Sequence, residues 1–275
     1  MAAHENRAIE LYLDLLKRSL TRYGYGDSWK LVEPRATGWR AALYDRLERR
    51  TGRAVSYERV LFDPVARENG RDWPLEAETM VGLKRLQNLQ DCVTDVIRND
   101  VPGDLIETGV WRGGAAIFMR AILAAYGDTQ RVVWTADSFA GLPRPSGKYD
   151  ADRGDKQWSF TILAVSEEEV RANFARYGLL DDQVRFLKGL FQETLADAPI
   201  GQLAVARLDG DMYESTIVAL DTLYPKLSVG GYLIVDDYGA LEPCRRAVDD
   251  YRREHDVTEP LVEVDWTGVY WQRRH

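Results

Sequence analysis

Asp209 and Asp211 stand in the run Arg207-Leu208-Asp209-Gly210-Asp211-Met212-Tyr213-Glu214, directly after the apolar segment Leu203-Ala204-Val205-Ala206. Asp236 and Asp237 directly follow Leu233-Ile234-Val235. Short apolar, β-branched segments of this kind read as buried parallel strands, and ligands bind where the carboxyl ends of such strands emerge. Carboxylates on two neighbouring strand ends converge on one point. Unpaired, they repel, and they require a cation or a shared proton between them. Asp209, Asp236 and Asp237 are therefore candidate ligands for a hard divalent ion, with Mg2+ expected, and an ion held there makes a sugar or phenol hydroxyl more acidic. Asp211 is the candidate general base or a further ligand. Helix caps and solvated acids are the plainer alternative, and they account less readily for an Asp-Asp pair after Leu-Ile-Val.

Three further segments suit a nucleotide-like ligand. Glu107-Thr108-Gly109-Val110-Trp111-Arg112-Gly113-Gly114 joins a strand to a helix, and glycines there let the backbone approach a ligand closely. The spacing is not the dinucleotide fingerprint, and Glu107 would oppose a pyrophosphate, so a cationic or ammonium-bearing ligand fits better. Asp137 in Thr135-Ala136-Asp137-Ser138-Phe139 ends the next strand, where an acid can accept both hydroxyls of a ribose or simply cap the turn that follows. Leu187-Lys188-Gly189-Leu190-Phe191 ends a third strand; Gly189 permits close approach and Phe191 can cover a purine, although an ordinary connection reads nearly as well. His4, His255 and His275 are scattered and give Ser-His-Asp chemistry no support. Trp73 and Trp158, in turn-rich stretches, are candidates for an acceptor pocket.

The elements that must position these residues alternate. The expected order is Asp104–Thr108, helix 114–126, Val132–Asp137, helix 166–178, Val184–Leu187, a short helix near 192–197, Leu203–Asp209, helix 214–226, Gly231–Asp236, helix 242–254, then Leu261–Trp266 and Val269–Gln272 around a two-residue Thr267-Gly268 hairpin. Such alternation implies βαβ units in a mostly parallel α/β sheet with an antiparallel edge. Helical apolar periods cover 5–23, about 37–50 and 79–99, and no strand pattern precedes residue 104. Residues 1–100 thus read as a helical lid and oligomerisation region, and 101–275 as the ligand-binding domain.

With 275 residues and a net charge of −8, the chain is long enough for one large α/β domain with an appendage, and it lacks the overall basic balance of a nucleic-acid binder. Two cysteines, Cys92 and Cys244, exclude a disulfide scaffold and suit a reducing cytoplasm. No apolar run is long enough to span a membrane, and no secretory signal is seen.

The segments around Glu107–Gly114, Ala136–Pro143, Leu208–Thr216 and Gly230–Tyr238, with Gly70-Arg71-Asp72-Trp73-Pro74 and Thr79-Met80-Val81-Gly82, together resemble the macrocin O-methyltransferase family over roughly residues 10–272. That family methylates deoxysugar hydroxyls of natural products. The resemblance implies a class I, Rossmann-like methyltransferase fold, S-adenosyl-L-methionine as donor, Mg2+ dependence and a glycosylated small-molecule acceptor. It places Glu107 and Gly109 by the methionine part, and counts Trp111, Gly113 and Asp209 among the cofactor-binding residues. Asp137 falls at the ribose and Ser138 and Phe191 near the adenine, with Phe139 and Gly189 also binding the cofactor. Thr79 and Met80, on the entering helix, close over the cofactor, and Asp209, Asp236 and Asp237 match the metal positions. Asp209 and Asp211 can exchange the role of base. Rival readings are a catechol-type phenol methyltransferase, a nicotinamide oxidoreductase and a non-catalytic nucleotide-binding subunit. The long N-terminal region is expected to pack against a second copy, giving a homodimer or higher oligomer.

Overall fold

Leu105 and Ile106 are neighbours in sequence and both fully buried, yet they belong to different hydrophobic clusters. Val205 and Ala206 divide in the same way, as do Leu233 and Ile234. Alternation with period two sends successive side chains to opposite faces, so these strands are covered on both sides. The result is a three-layer α/β/α arrangement. The computed structural model describes residues 2–32 and 56–275.

The central sheet contains β3 (Asp104–Thr108), β4 (Val133–Asp137), β5 (Val184–Lys188), β6 (Leu203–Leu208), β7 (Leu227–Val235), β8 (Val262–Glu263) and β9 (Val269–Gln272), in the order β5-β4-β3-β6-β7-β9-β8. Pairings among β3 to β7 are parallel, and β9 pairs antiparallel with both β7 and β8. The chain order reverses between β3 and β6, which is the switch point where such sheets open a crevice. In this register Glu107 lies beside Thr135 on one side and Arg207 on the other, and Arg207 lies beside Ile234.

One face is covered by α1 (Ala2–Leu20), α3 (Leu83–Arg98), α4 (Gly114–Ala125) and α5 (Glu167–Arg176). The other carries α6 (Phe191–Thr194), α7 (Tyr213–Leu223) and α8 (Glu242–Glu254). Local signals set several of these ends. Ser166 accepts the N–H of Glu169 to cap α5, whose first turn holds Glu167, Glu168 and Glu169 against the helix dipole. Leu13, Leu16 and Leu20 of α1 share one cluster with Leu86, Val93, Leu105 and Ile117, so the core runs continuously across residue 100. Each such fully buried side chain contributes about 1.5–3 kcal/mol.

The N-terminal region departs from the all-helical expectation. β1 (Ser28–Val32) and β2 (Ser56–Val60) form a separate antiparallel pair, followed by the short α2 (Pro64–Glu68), which Asp63 caps. The helix expected at 37–50 lies outside the described residues. α3 begins at Leu83 with Gly82 as its N-cap, so Thr79 and Met80 sit in an irregular strap before the helix rather than on it. At the other end, the connection between β8 and β9 spans 264–268 instead of two residues. The Asp265 carboxylate organises it by accepting the N–H groups of Thr267 and Gly268 at 3.0 and 2.9 Å. Among the described residues no helix is long and apolar enough to cross a membrane.

Candidate active site

Just past their carboxyl ends the parallel strands are laced together by backbone. The N–H of Gly109 donates to Ala136, that of Asp209 to Thr108, that of Asp236 to Leu208 and that of Gly189 to Asp137, all at 2.9–3.0 Å. The chain after β3 therefore runs hard against the chain after β6. Gly109 has φ +81°, and a Cβ there would overlap the Asp209 carbonyl oxygen. Glycine is needed on both counts.

This lacing brings a dense set of charges together. Arg207, only 3 % exposed, donates to Glu107 at 2.7 Å and Asp209 at 3.0 Å, and its other terminal nitrogen donates to Asp236. Arg85, from α3, donates to the second oxygen of Asp236 and to the buried Asp265 at 3.1 Å. Burial opposes the charge on Arg207, but Asp236, Asp209 and Glu107 outweigh it and hold the guanidinium's pKa above its ordinary value. Asp236 was expected as a metal ligand. Here its two oxygens face two guanidiniums, and the carboxylates that converge are Asp209, Asp211 and Asp237, with one oxygen from each within 4.8 Å of the others.

The three converging groups are short of positive charge. Burial and the neighbouring Asp236 push Asp209 up to about 6, with Arg207 opposing. Burial and the charge of Asp209, then those of Asp236 and Asp155, push Asp211 up to about 8. Asp237 is raised by burial and by Asp209 and Asp211, and its buried Oδ2 has no hydrogen-bond partner among the described residues. Asp209 nevertheless keeps 29 % of its side-chain surface open. A hard divalent cation fits such an all-oxygen cluster, in which carboxylates outnumber cations and one oxygen lacks a donor. Glu107 is perturbed likewise: burial raises it to about 8 against the pull of Arg207, and its buried Oε2 has no partner among the described residues.

A cavity of about 460 Å³ opens over these strand ends. Thr79, Met80, Glu107, Gly109, Trp111, Asp137, Ser138, Gly189, Phe191, Asp209, Asp211, Asp236 and Asp237, all singled out from sequence, line it. Gly113 and Phe139 do not. Gly113 precedes α4 in a left-handed conformation, where a Cβ would press on Val170 of α5. Phe139 is a core residue against Phe186. What Phe139 gives the site is its N–H, which the Asp137 carboxylate accepts at 2.7 Å, while the other Asp137 oxygen accepts the N–H of Val110 at 2.7 Å. Asp137 thus fastens the glycine loop to β4, and the oxygen that accepts from Val110 keeps a lone pair for a ligand hydroxyl. Trp73 lines the mouth, as do Phe160 and Trp266, whereas Trp158 is not in the lining and stacks with Arg144.

Sequence reading missed Arg207, Arg85 and Asp265 as site residues. Arg207 carried a usable signal: a lone cation inside an apolar strand, two residues before Asp209 and so on the same face. Arg85 meets Asp236 only through tertiary packing.

A parallel sheet in this order with an antiparallel edge, a glycine loop after its first central strand and acids on the next strand ends define a class I methyltransferase. The family model described as Macrocin-O-methyltransferase (TylF) matches residues 9–273. The chain belongs to that family and is an O-methyltransferase. It is 52 % identical over 269 residues to 8-demethyl-8-(2,3-dimethoxy-alpha-L-rhamnosyl)-tetracenomycin-C 4'-O-methyltransferase of Streptomyces olivaceus, covering 96 % of this chain and 93 % of the relative. To demethyldecarbamoylnovobiocin O-methyltransferase of Streptomyces niveus it is 57 % identical over 222 residues, covering 79 % and 84 %. The solved structure of the O-methyltransferase NovP superposes with a TM-score of 0.84 at 49 % identity, covering 97 % of this chain and all of that one.

Proposed function

We propose that the protein transfers a methyl group from S-adenosylmethionine to a sugar hydroxyl of a glycosylated secondary metabolite, with Mg2+ held at the carboxylate cluster. The observation that carries this reading is the convergence of Asp209, Asp211 and Asp237 in a cavity that is also lined by Glu107, whose Oε2 has no hydrogen-bond partner among the described residues. The name of the tetracenomycin relative, with its rhamnosyl group and 4'-oxygen, supports a sugar as acceptor.

On this reading Glu107 Oε2 accepts from the cofactor's ammonium and Asp137 from its ribose hydroxyls. Thr79 and Met80 on the strap, with Trp111, Ser138, Gly189 and Phe191, enclose the rest and exclude water. Asp209 and Asp237 are the residues that would hold the cation, while Arg207 and Arg85 fix Asp236 behind them. A bound divalent ion supplies Lewis acidity that lowers the pKa of the acceptor hydroxyl. Asp211 takes the hydroxyl proton: Asp209 already accepts from Arg207, whereas no hydrogen bond to the Asp211 carboxylate exists among the described residues. Alignment of the acceptor oxygen with the sulfonium methyl completes an in-line displacement.

The test is Asp209→Asn. It should fold, bind S-adenosylhomocysteine with an affinity close to wild type, and lose turnover by roughly 100-fold or more. Wild-type turnover by this variant with EDTA present contradicts the reading. Two accompanying proposals concern the setting. The outward face of α1, with Leu11, Tyr12 and Leu15 exposed, supports packing of residues 1–100 against a second copy, and a monomer by light scattering at working concentration refutes it. Free, buried Cys92 and Cys244 support a cytoplasmic enzyme.

A further inference from the structure

We propose that Asp152 is a positioning residue that fixes the turn carrying Asp209 and Asp211, tying it to the segment that walls the cavity. α7 begins at Tyr213, two residues after Asp211, and its first N–H groups need acceptors from outside the helix. Its own N-cap, Met212, makes no side-chain cap. Asp152 supplies the acceptors from far away in sequence. One carboxylate oxygen accepts the N–H of Tyr213 at 2.7 Å, and the other accepts that of Glu214 at 3.0 Å. Asp152 is 2 % exposed, so this is an internal fastening and not a surface contact.

The fastening acts on a turn that requires restraint. Asp211 has φ +56°, a region that non-glycine residues seldom occupy. The carboxylate also lies at the positive end of an 11-residue helix, where a negative charge is favoured. Two further contacts join the same partners. Ser146 Oγ donates to Glu214 at 2.6 Å, and the Tyr149 ring packs on Tyr213 at 4.8 Å between centroids. Downstream of Asp152 the same segment gives Gln157, Phe160 and Leu163 to the cavity wall. The placement of that wall and the placement of Asp211 are therefore mechanically linked, with Asp152 as the joint. The inference rests on the proposed reading of Asp209, Asp211 and Asp237 as the cation-binding and proton-accepting cluster.

The experiment compares the wild type with Asp152→Ala, Asp152→Asn and the control Asp150→Asn, which alters an exposed residue of the same segment paired with the exposed Arg153. Four quantities are read: amide deuterium uptake in the peptide spanning 209–216, the Mn2+ dissociation constant, the S-adenosylhomocysteine dissociation constant, and kcat against KM. Asp152→Ala should raise uptake in 209–216, weaken Mn2+ by roughly 5–10-fold and lower kcat by a similar factor, with S-adenosylhomocysteine binding changed less than about twofold. Asp152→Asn keeps one acceptor oxygen and should fall between, and it carries the comparison if the alanine variant fails to fold. Asp150→Asn should match wild type. A variant that melts earlier yet keeps wild-type uptake in 209–216, Mn2+ affinity and kcat overturns the positioning role. Absence of Mn2+ binding in the wild type instead overturns the cation reading, and the exchange and kcat data then decide on Asp152 alone.

Discussion

Replacing Arg207 by Met removes the buried cation that touches Glu107, Asp209 and Asp236 together. Methionine fills comparable volume, so little of the effect comes from a cavity. What remains is a set of buried carboxylates without their counter-charge, in a site where Arg207 is 3 % and Glu107 is 3 % exposed at the side chain. Breaking a buried pair from one side costs about 3–5 kcal/mol. For a chain of this length each kcal/mol corresponds to roughly 2 °C in Tm, so the metal-free variant should melt about 6–10 °C below wild type. Differential scanning calorimetry with EDTA at pH 8 reads the change. Lowering the pH should recover part of it, because protonation removes the stranded charges. Adding Asp236→Asn should likewise be less than additive, since it neutralises one of them. A single variant melting within about 2 °C of wild type at pH 8 would falsify the claim that Arg207 offsets the cluster's charge.

Other outcomes follow from the same geometry. Glu107, raised by burial from its ordinary 4.5 to about 8, keeps its proton in the folded protein over a range where the unfolded chain has lost it. The stability this proton contributes is full below about 4.5 and disappears as pH rises through about 8. Urea unfolding with EDTA at pH 6, 7 and 8 should therefore show a shallower decline for Glu107→Gln, by roughly 1 kcal/mol per pH unit; parallel slopes contradict it. The bound ammonium displaces the Glu107 proton, so the same variant, which lacks the charge-assisted bond that results, should bind S-adenosylhomocysteine at least about 10-fold more weakly, as read by calorimetry. Gly109→Ala should lose at least about 2 kcal/mol in the same urea assay, since the new Cβ meets the Asp209 carbonyl and the residue must keep φ +81°. Wild-type stability there means the loop can move away from β6.

What the sequence displays and what it hides separate along a physical line. The strands β3, β4, β6 and β7 and their acidic ends were legible because each carries a short apolar run followed by an acid, and alternation with helices fixes parallel pairing. Asp137, Asp209, Asp211 and Asp237 reach one cavity for that reason. The environment of Asp236 was not legible: its arginine on α3 lies 151 residues away and meets it only when α3 packs across the sheet. The β1–β2 pair escaped notice because its strands are only five residues long: Ser28-Trp29-Lys30-Leu31 alternates, but Glu58-Arg59 breaks the pattern in its partner. Met80 continued a helical period by coincidence, and Gly82 sets the true start of α3. Phe139 looked like part of a ligand-binding turn, yet its ring lies in the core while its N–H serves Asp137. Sequence patterns report local burial well and do not report which distant charge a carboxylate meets.

The central claim is that a divalent cation at the strand-end carboxylates assists methyl transfer to a sugar hydroxyl. It is tested most directly by the initial rate of methyl transfer from S-adenosylmethionine to a glycosylated acceptor, measured as purified, after EDTA, and after Mg2+ is restored. The account predicts loss of the rate with EDTA and its recovery with Mg2+, at an S-adenosylhomocysteine affinity that stays within about threefold. A rate that EDTA leaves unchanged contradicts it.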